Sequence, residues 1–139
     1  MVRADQSQRG ASAVEFALLA PLFVALLFAI VEFGMILYTK GMLTHASREG
    51  ARFGVVYSVP KRTAGEIETA VRNYLNTSGL TSPATVEILG AQGASEASLT
   101  VTVRYTYNFL VLPKDLNSYM GGSMPLNLNL TAAAVMRME

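Results

Sequence analysis

The sequence predicts an α+β chain with one long N-terminal helix, one short helix and a three-stranded antiparallel sheet. Three observations predict it. From Phe16 to Val31 there is no charge, and after Glu32 the apolar run resumes from Phe33 to Tyr38. From Ile36 onward, apolar residues recur at spacings of three and four, the period of a helix. After Pro83 the period drops to two, that of a strand. The 139 residues allow one modest domain. A long terminal helix leaves only about 80 residues for a globular part, near the lower limit for a self-sufficient core.

The first half of the long helix reads as a membrane span. Phe16 to Tyr38 would give roughly 35 Å of helix, enough to cross a bilayer. The run is too long for a typical signal-peptide core, and no A-x-A-like site follows it. Pro21 removes one backbone hydrogen bond, that to Ala17, which a span tolerates with a local kink or unwinding. Ala13 and Ala17, then Ala25 and Ala29, are spaced for close helix approach, although alanine is also simply common in such helices. Arg3 and Arg9 precede the span, offset by Asp5, and Lys40, Arg48 and Arg52 follow it. The positive-inside count therefore does not set the orientation by itself.

The second half is amphipathic. Ile36, Thr39, Leu43, Ala46, Gly50, Phe53 and Tyr57 form one mostly apolar stripe, and Lys40, Thr44, Arg48 and Arg52 lie on other faces. No proline follows Pro21 until Pro60, so one helix is expected from about Ala13 to Tyr57, about 67 Å long. Val59-Pro60-Lys61-Arg62 is a break. Thr63-Ala64-Gly65-Glu66 then fits a capping box, with Thr63 as N-cap and Glu66 at the third helical position. The helix it opens should run to about Asn76, present Ile67, Ala70, Val71 and Tyr74 on one face, and end near Gly79.

Three strands follow. Val86 and Ile88 alternate with polar neighbours. Leu99, Val101, Val103, Tyr105, Tyr107 and Phe109 do the same, as do Leu126, Leu128, Leu130, Ala132, Ala134 and Met136. One apolar face per strand is the pattern of a sheet covered on one side. The short helix and the amphipathic half of the long one should be the cover. Gly90 to Ser98 reads as a small-residue loop, and Pro113 to Pro125, with Gly121-Gly122, as a longer one.

The composition leaves little room for chemistry. Net charge is +1, the basic residues are scattered, and nucleic-acid binding has no basic patch to rest on. Cysteine is absent and His45 is the single histidine. That removes disulfides, thiolate catalysis and histidine-rich metal cages. There is no phosphate-cradling glycine loop. Glu66 and Glu68 are two apart on a helix and do not face each other. Asn76-Thr77-Ser78 and Asn129-Leu130-Thr131 match a glycosylation pattern too short to carry weight. No enzyme activity, cofactor or metal is expected.

Two stretches stand out. One is Gly10-Ala11-Ser12-Ala13-Val14-Glu15, just ahead of Phe16 and the apolar run. A carboxylate at the mouth of a membrane-length helix is expensive and usually has a function. The other is Ala46 through Arg52. There, Glu49 and Arg52 are spaced to pair along the helix, worth a few tenths of a kcal/mol. Gly50 in mid-helix costs roughly 1 kcal/mol against alanine, either because something approaches its backbone or because it is merely tolerated. Glu32 reads as an interfacial carboxylate at the outer end of the span.

Together, Gly10, Glu15 with Phe16, the apolar run with Pro21, Glu32-Phe33-Gly34 and Ala46 through Arg52 resemble the TadE-like family. These are minor pilins, or pseudopilins, of the tight-adherence (Tad, Flp) branch of type IV pili. The resemblance is strong over roughly Gly10 to Gly54. It implies a pilin-like fold: leader peptide 1–10, long helix 11–59 with its transmembrane part at about 16–38, and a small extracytoplasmic domain 60–139. It implies cleavage by a prepilin peptidase between Gly10 and Ala11, with Glu15 and Phe16 serving assembly and registry and Gly50, Ala51 and Arg52 helix packing. The implied partners are that peptidase, other pilin and pseudopilin subunits through the N-terminal helix, the inner-membrane assembly platform and membrane lipid. The implied location is the bacterial inner membrane, N-terminus cytoplasmic and C-terminal domain outside, then the pilus after assembly. A mature amino terminus at Ala11 would supply the cation that a buried Glu15 lacks. The alternative is an uncleaved single-pass protein whose outer domain binds a partner in an envelope complex.

Overall fold

The computed structural model describes residues 3–80, 83–110, 121 and 127–138, with side chains from residue 10 onward. Element order is α1 (Arg3–Val55), α2 (Ala64–Thr77), β1 (Thr85–Leu89), β2 (Ser98–Asn108) and β3 (Asn127–Arg137). The α+β class read from periodicity is the observed one. The loop from Pro113 to Pro125, Gly121 apart, and Leu126 lie outside the described residues. Chain contacts fall into two units, Met1–Met35 and Ile36–Glu139.

The long helix has different ends from those expected. It starts at Arg3 rather than near Ala13, and it continues through Gly10 and Pro21. Residues 3–9 contain good helix formers and no proline, and a lone glycine costs only about 1 kcal/mol, too little to end a helix. At the other end α1 stops at Val55, and Tyr57 is 71 % exposed rather than part of the stripe. Pro60 disfavours helical backbone only at Val59, so a helix could not have run past that point, and α1 ends four residues short of it.

Within the second unit, the core is built from one face of each element. Leu43, Ala46 and Ala51 come from α1, Ile67, Val71 and Leu75 from α2, and Leu99, Val101 and Val103 from β2. Leu130, Ala132 and Ala134 come from β3. Each fully buried leucine, isoleucine or valine here is worth about 1.5–3 kcal/mol against exposure. The sheet order is β1-β2-β3, antiparallel throughout. Register places Ile88 beside Val101 and Val101 beside Ala134, then Val86 beside Val103 and Val103 beside Ala132. Two rows of side chains thus cross all three strands on the covered face. The opposite face carries the Thr106–Asn129 hydrogen bond at 3.0 Å and the Arg104–Glu87 ion pair at 3.1 Å.

The ends of α2 follow from its sequence. Glu66 N–H donates to Thr63 Oγ1, and Thr63 N–H donates back to Glu66 Oε2 at 2.8 Å. This is the capping box, complete in both directions. At the far end, Leu80 N–H donates to Leu75 O and Gly79 N–H to Asn76 O, with Gly79 at φ +85°. That is a Schellman closure, with buried Leu80 and Leu75 as its apolar contact.

The Thr63 bonds, backbone first, hold the Glu66 carboxyl below the usual carboxylate range, with Arg62 adding to the effect. A lowered folded value means the contribution is fully present above the unfolded carboxylate range and is lost as pH falls through the folded value. Thr63→Ala removes both side-chain bonds. It is expected to cost about 1 kcal/mol at neutral pH and to flatten the acid limb of stability. Urea unfolding at pH 7 and at a pH below the ordinary carboxylate range checks both. An unchanged midpoint at pH 7 contradicts the cap.

Candidate functional site

The first unit is defined by what its helix leaves uncovered. Phe16, Leu18, Leu19, Leu22 and Phe23 are each at least 60 % exposed, and Ile30 and Phe33 are 61 % exposed. A helix that is apolar around its whole circumference belongs in a bilayer or a larger bundle, not in water. An 18-residue window in this helix is apolar enough to cross a membrane, and none of that window is buried in the protein. Gly10, Ala11, Glu15 and Phe16 are all exposed positions on α1. A Cβ at Gly10 would meet nothing within 4 Å. The Gly10–Ala11 bond therefore lies in helical backbone, with no side chain among the described residues packed against its glycine.

Glu32 differs from its neighbours. It is 5 % exposed, whereas Val31 and Phe33 are 53 % and 61 % exposed. It also has an interaction partner. The sequence reading as a carboxylate at an interface carried no hint of this burial.

In the second unit, Gly50 and Ala51 are buried and Arg52 is exposed. A Cβ at Gly50 would lie 2.3 Å from Val71 Cγ2 of α2 and 3.4 Å from Val101 Cγ1 of β2. The glycine lets α1 rest against helix and sheet at once. Gly54, one turn on, has the same role: its Cβ would meet Leu99 Cδ2 at 2.5 Å and Ile67 Cδ1 at 2.6 Å. Sequence reasoning overlooked Gly54, although the signal was present as two glycines four apart on the buried stripe. Glu49 and Arg52 form no ion pair with each other among the described residues.

Among the described residues the acidic side chains and the histidine are not brought together. The Glu66 carboxylate is committed to its cap, and Glu68, Glu87 and Glu96 each pair with an arginine. His45 is exposed on α1. Among the described residues no three histidine or carboxylate side chains are placed to hold a metal.

The class so defined is a single membrane-length helix continued into a small α+β domain. The family model described as TadE-like protein matches residues 10–52, the segment containing the exposed apolar helix, Glu15 and Gly50. The match spans less than half of the chain and associates it with the Tad pilus system. No curated protein and no solved structure matches.

Proposed function

We propose that the chain is a minor pilin, or pseudopilin, of a Tad-type type IV pilus that serves surface adhesion. In this reading a prepilin peptidase cuts between Gly10 and Ala11. The mature subunit then sits in the inner membrane, N-terminus cytoplasmic and α+β domain outside. The assembly platform draws it, with other pilins and pseudopilins, into or against the fibre. The role is structural. The observation that carries the reading is the exposed apolar surface of the helix that follows Gly10 and Glu15, inside the segment that matches the family.

An exposed all-round apolar surface suits both proposed states. Lipid covers it before assembly, and neighbouring helices cover it afterwards. Neither state needs a rearrangement of the α+β domain, whose own core is closed by α2, the sheet and the second half of α1.

One observation favours the alternative, an uncleaved anchor with an outer interaction domain. The helix runs unbroken across Gly10–Ala11, and a protease must open it locally to reach that bond. The N-terminus and intact mass of protein from cells with and without the peptidase decide between the two. The expected result is a start at Ala11 only when the peptidase is present. A start upstream of Gly10 in both strains leaves the fixed anchor.

A further inference from the structure

The charges of the α+β unit are distributed unevenly. Glu66, Glu68, Glu87 and Glu96 are matched by Arg62, Arg72, Arg104 and Arg137 at 3.8, 2.7, 3.1 and 3.3 Å. The described charges left over are Lys40, Arg48, Glu49, Arg52 and Lys61. Lys40 donates to Thr131 O, and Lys61 donates to Gly93 O at 2.6 Å. Among the described residues, Arg48 and Arg52 have neither an ion pair nor a hydrogen bond. The surplus positive charge is therefore concentrated on one helix.

Two of those four cations, Arg48 and Arg52, also share one face. Residues 41, 45, 48 and 52 fall along a single line of α1 at helical spacing. Gly41 is half-buried with nothing within 4 Å of a Cβ there, and His45, Arg48 and Arg52 are exposed. Leu37 and Tyr38 continue the same face toward the apolar run, 55 % and 61 % exposed. The core face of the helix, with Leu43, Ala46, Gly50 and Gly54, lies opposite. Along one line the surface thus passes from apolar, through an aromatic ring with a polar tip, to cationic. That is the order of a bilayer from hydrocarbon through interface to charged headgroups.

We propose that this face of α1, with Arg48 and Arg52 at its centre, binds the headgroups of anionic phospholipids. The inference rests on the reading of α1 as a membrane helix. Tyr38 to Arg52 is about 21 Å along the axis. The helix must therefore lean with this face toward the bilayer for both guanidiniums to reach phosphate, which each can grip with paired N–H donors. Glu49 flanks the line and offsets part of the charge, so the two arginines set the selectivity.

The test uses the full chain in mild detergent with equal amounts of phosphatidylcholine and phosphatidylglycerol, and retained lipid is counted by mass spectrometry. The expected result is enrichment of phosphatidylglycerol on the order of tenfold, as two surface cations imply, falling as salt is raised. Arg48→Gln with Arg52→Gln should abolish the enrichment. Arg104→Gln with Arg137→Gln, an equal change of charge at paired surface sites, should leave it. Equal retention of the two lipids by a protein that resists alkaline extraction from membranes overturns this inference alone. So does equal loss in both double variants. Release of the wild-type protein by alkaline extraction overturns the membrane reading and this inference with it.

Discussion

Gly50→Ala is expected to destabilise the α+β unit by about 1–2 kcal/mol, whereas the same change at Gly41 stabilises α1 by about 0.5–1 kcal/mol. Both glycines sit within α1, and both substitutions gain helix propensity. The space around them decides the sign. At Gly41 the new methyl meets nothing within 4 Å. At Gly50 it would lie 2.3 Å from Val71 Cγ2. Valine in a helix is held to one χ1 well, so that methyl cannot swing aside cheaply, and α1 must lift from α2 instead. Gly54→Ala should cost less than Gly50→Ala. Its closest neighbours, Leu99 Cδ2 and Ile67 Cδ1, are the far ends of flexible side chains. Val71→Ala placed in the Gly50→Ala background should recover part of the loss, because it removes the methyl in the way. Chemical denaturation of the detergent-solubilised full chain, followed by the near-ultraviolet signal of its tyrosines, reads all four. A Gly50→Ala protein as stable as the parent contradicts the close approach.

These glycines show what periodicity conveys and what it leaves out. The stripe Leu43, Ala46, Gly50 was legible because a buried helix face repeats at three and four residues. Strand alternation was legible for the same reason, and the α2 cap was legible because its chemistry is local to four residues. Which neighbour fills the space above Gly50 depends on α2 and β2, 21 and 51 residues further along the chain, and no local pattern encodes it. Arg52 illustrates the same limit. It belongs to the stretch singled out around Gly50, yet it points out of the core, and its significance came from counting which acids were already paired. The ends of α1 were misjudged for a related reason. A three-four spacing can be continued arithmetically past Val55 to Tyr57, but the spacing does not mark where the backbone leaves the helix. Glu32 was beyond reach altogether, since one charge in an apolar run reads the same whether its side chain is buried or wet.

The larger functional effect is expected from Glu15→Gln, which should leave cleavage after Gly10 intact and strongly reduce recovery of the subunit in sheared fibres. The side chain is exposed on α1 of the single subunit, so the isolated protein neither needs nor loses anything by the change. The proposed assembly alters this. Once the apolar helices pack together, a carboxylate in their midst costs several kcal/mol unless a cation is paired with it. The amino terminus created at Ala11 lies one helical turn away in sequence and is the nearest positive charge that processing can supply, from the same subunit or an adjacent one. Glutamine keeps the shape and loses the charge, which strands the ammonium group in the same apolar surroundings. Removing one member of a buried pair costs on the order of 3 kcal/mol, roughly a hundredfold in an equilibrium. Intact mass separates the two stages. A processed Glu15→Gln subunit that stays in the membrane fraction supports pairing during assembly. A processed subunit recovered in fibres as efficiently as the parent shows that Glu15 sets no registry. An unprocessed one would move the role of Glu15 to the peptidase step, because the substitution would then act before any helix has a partner.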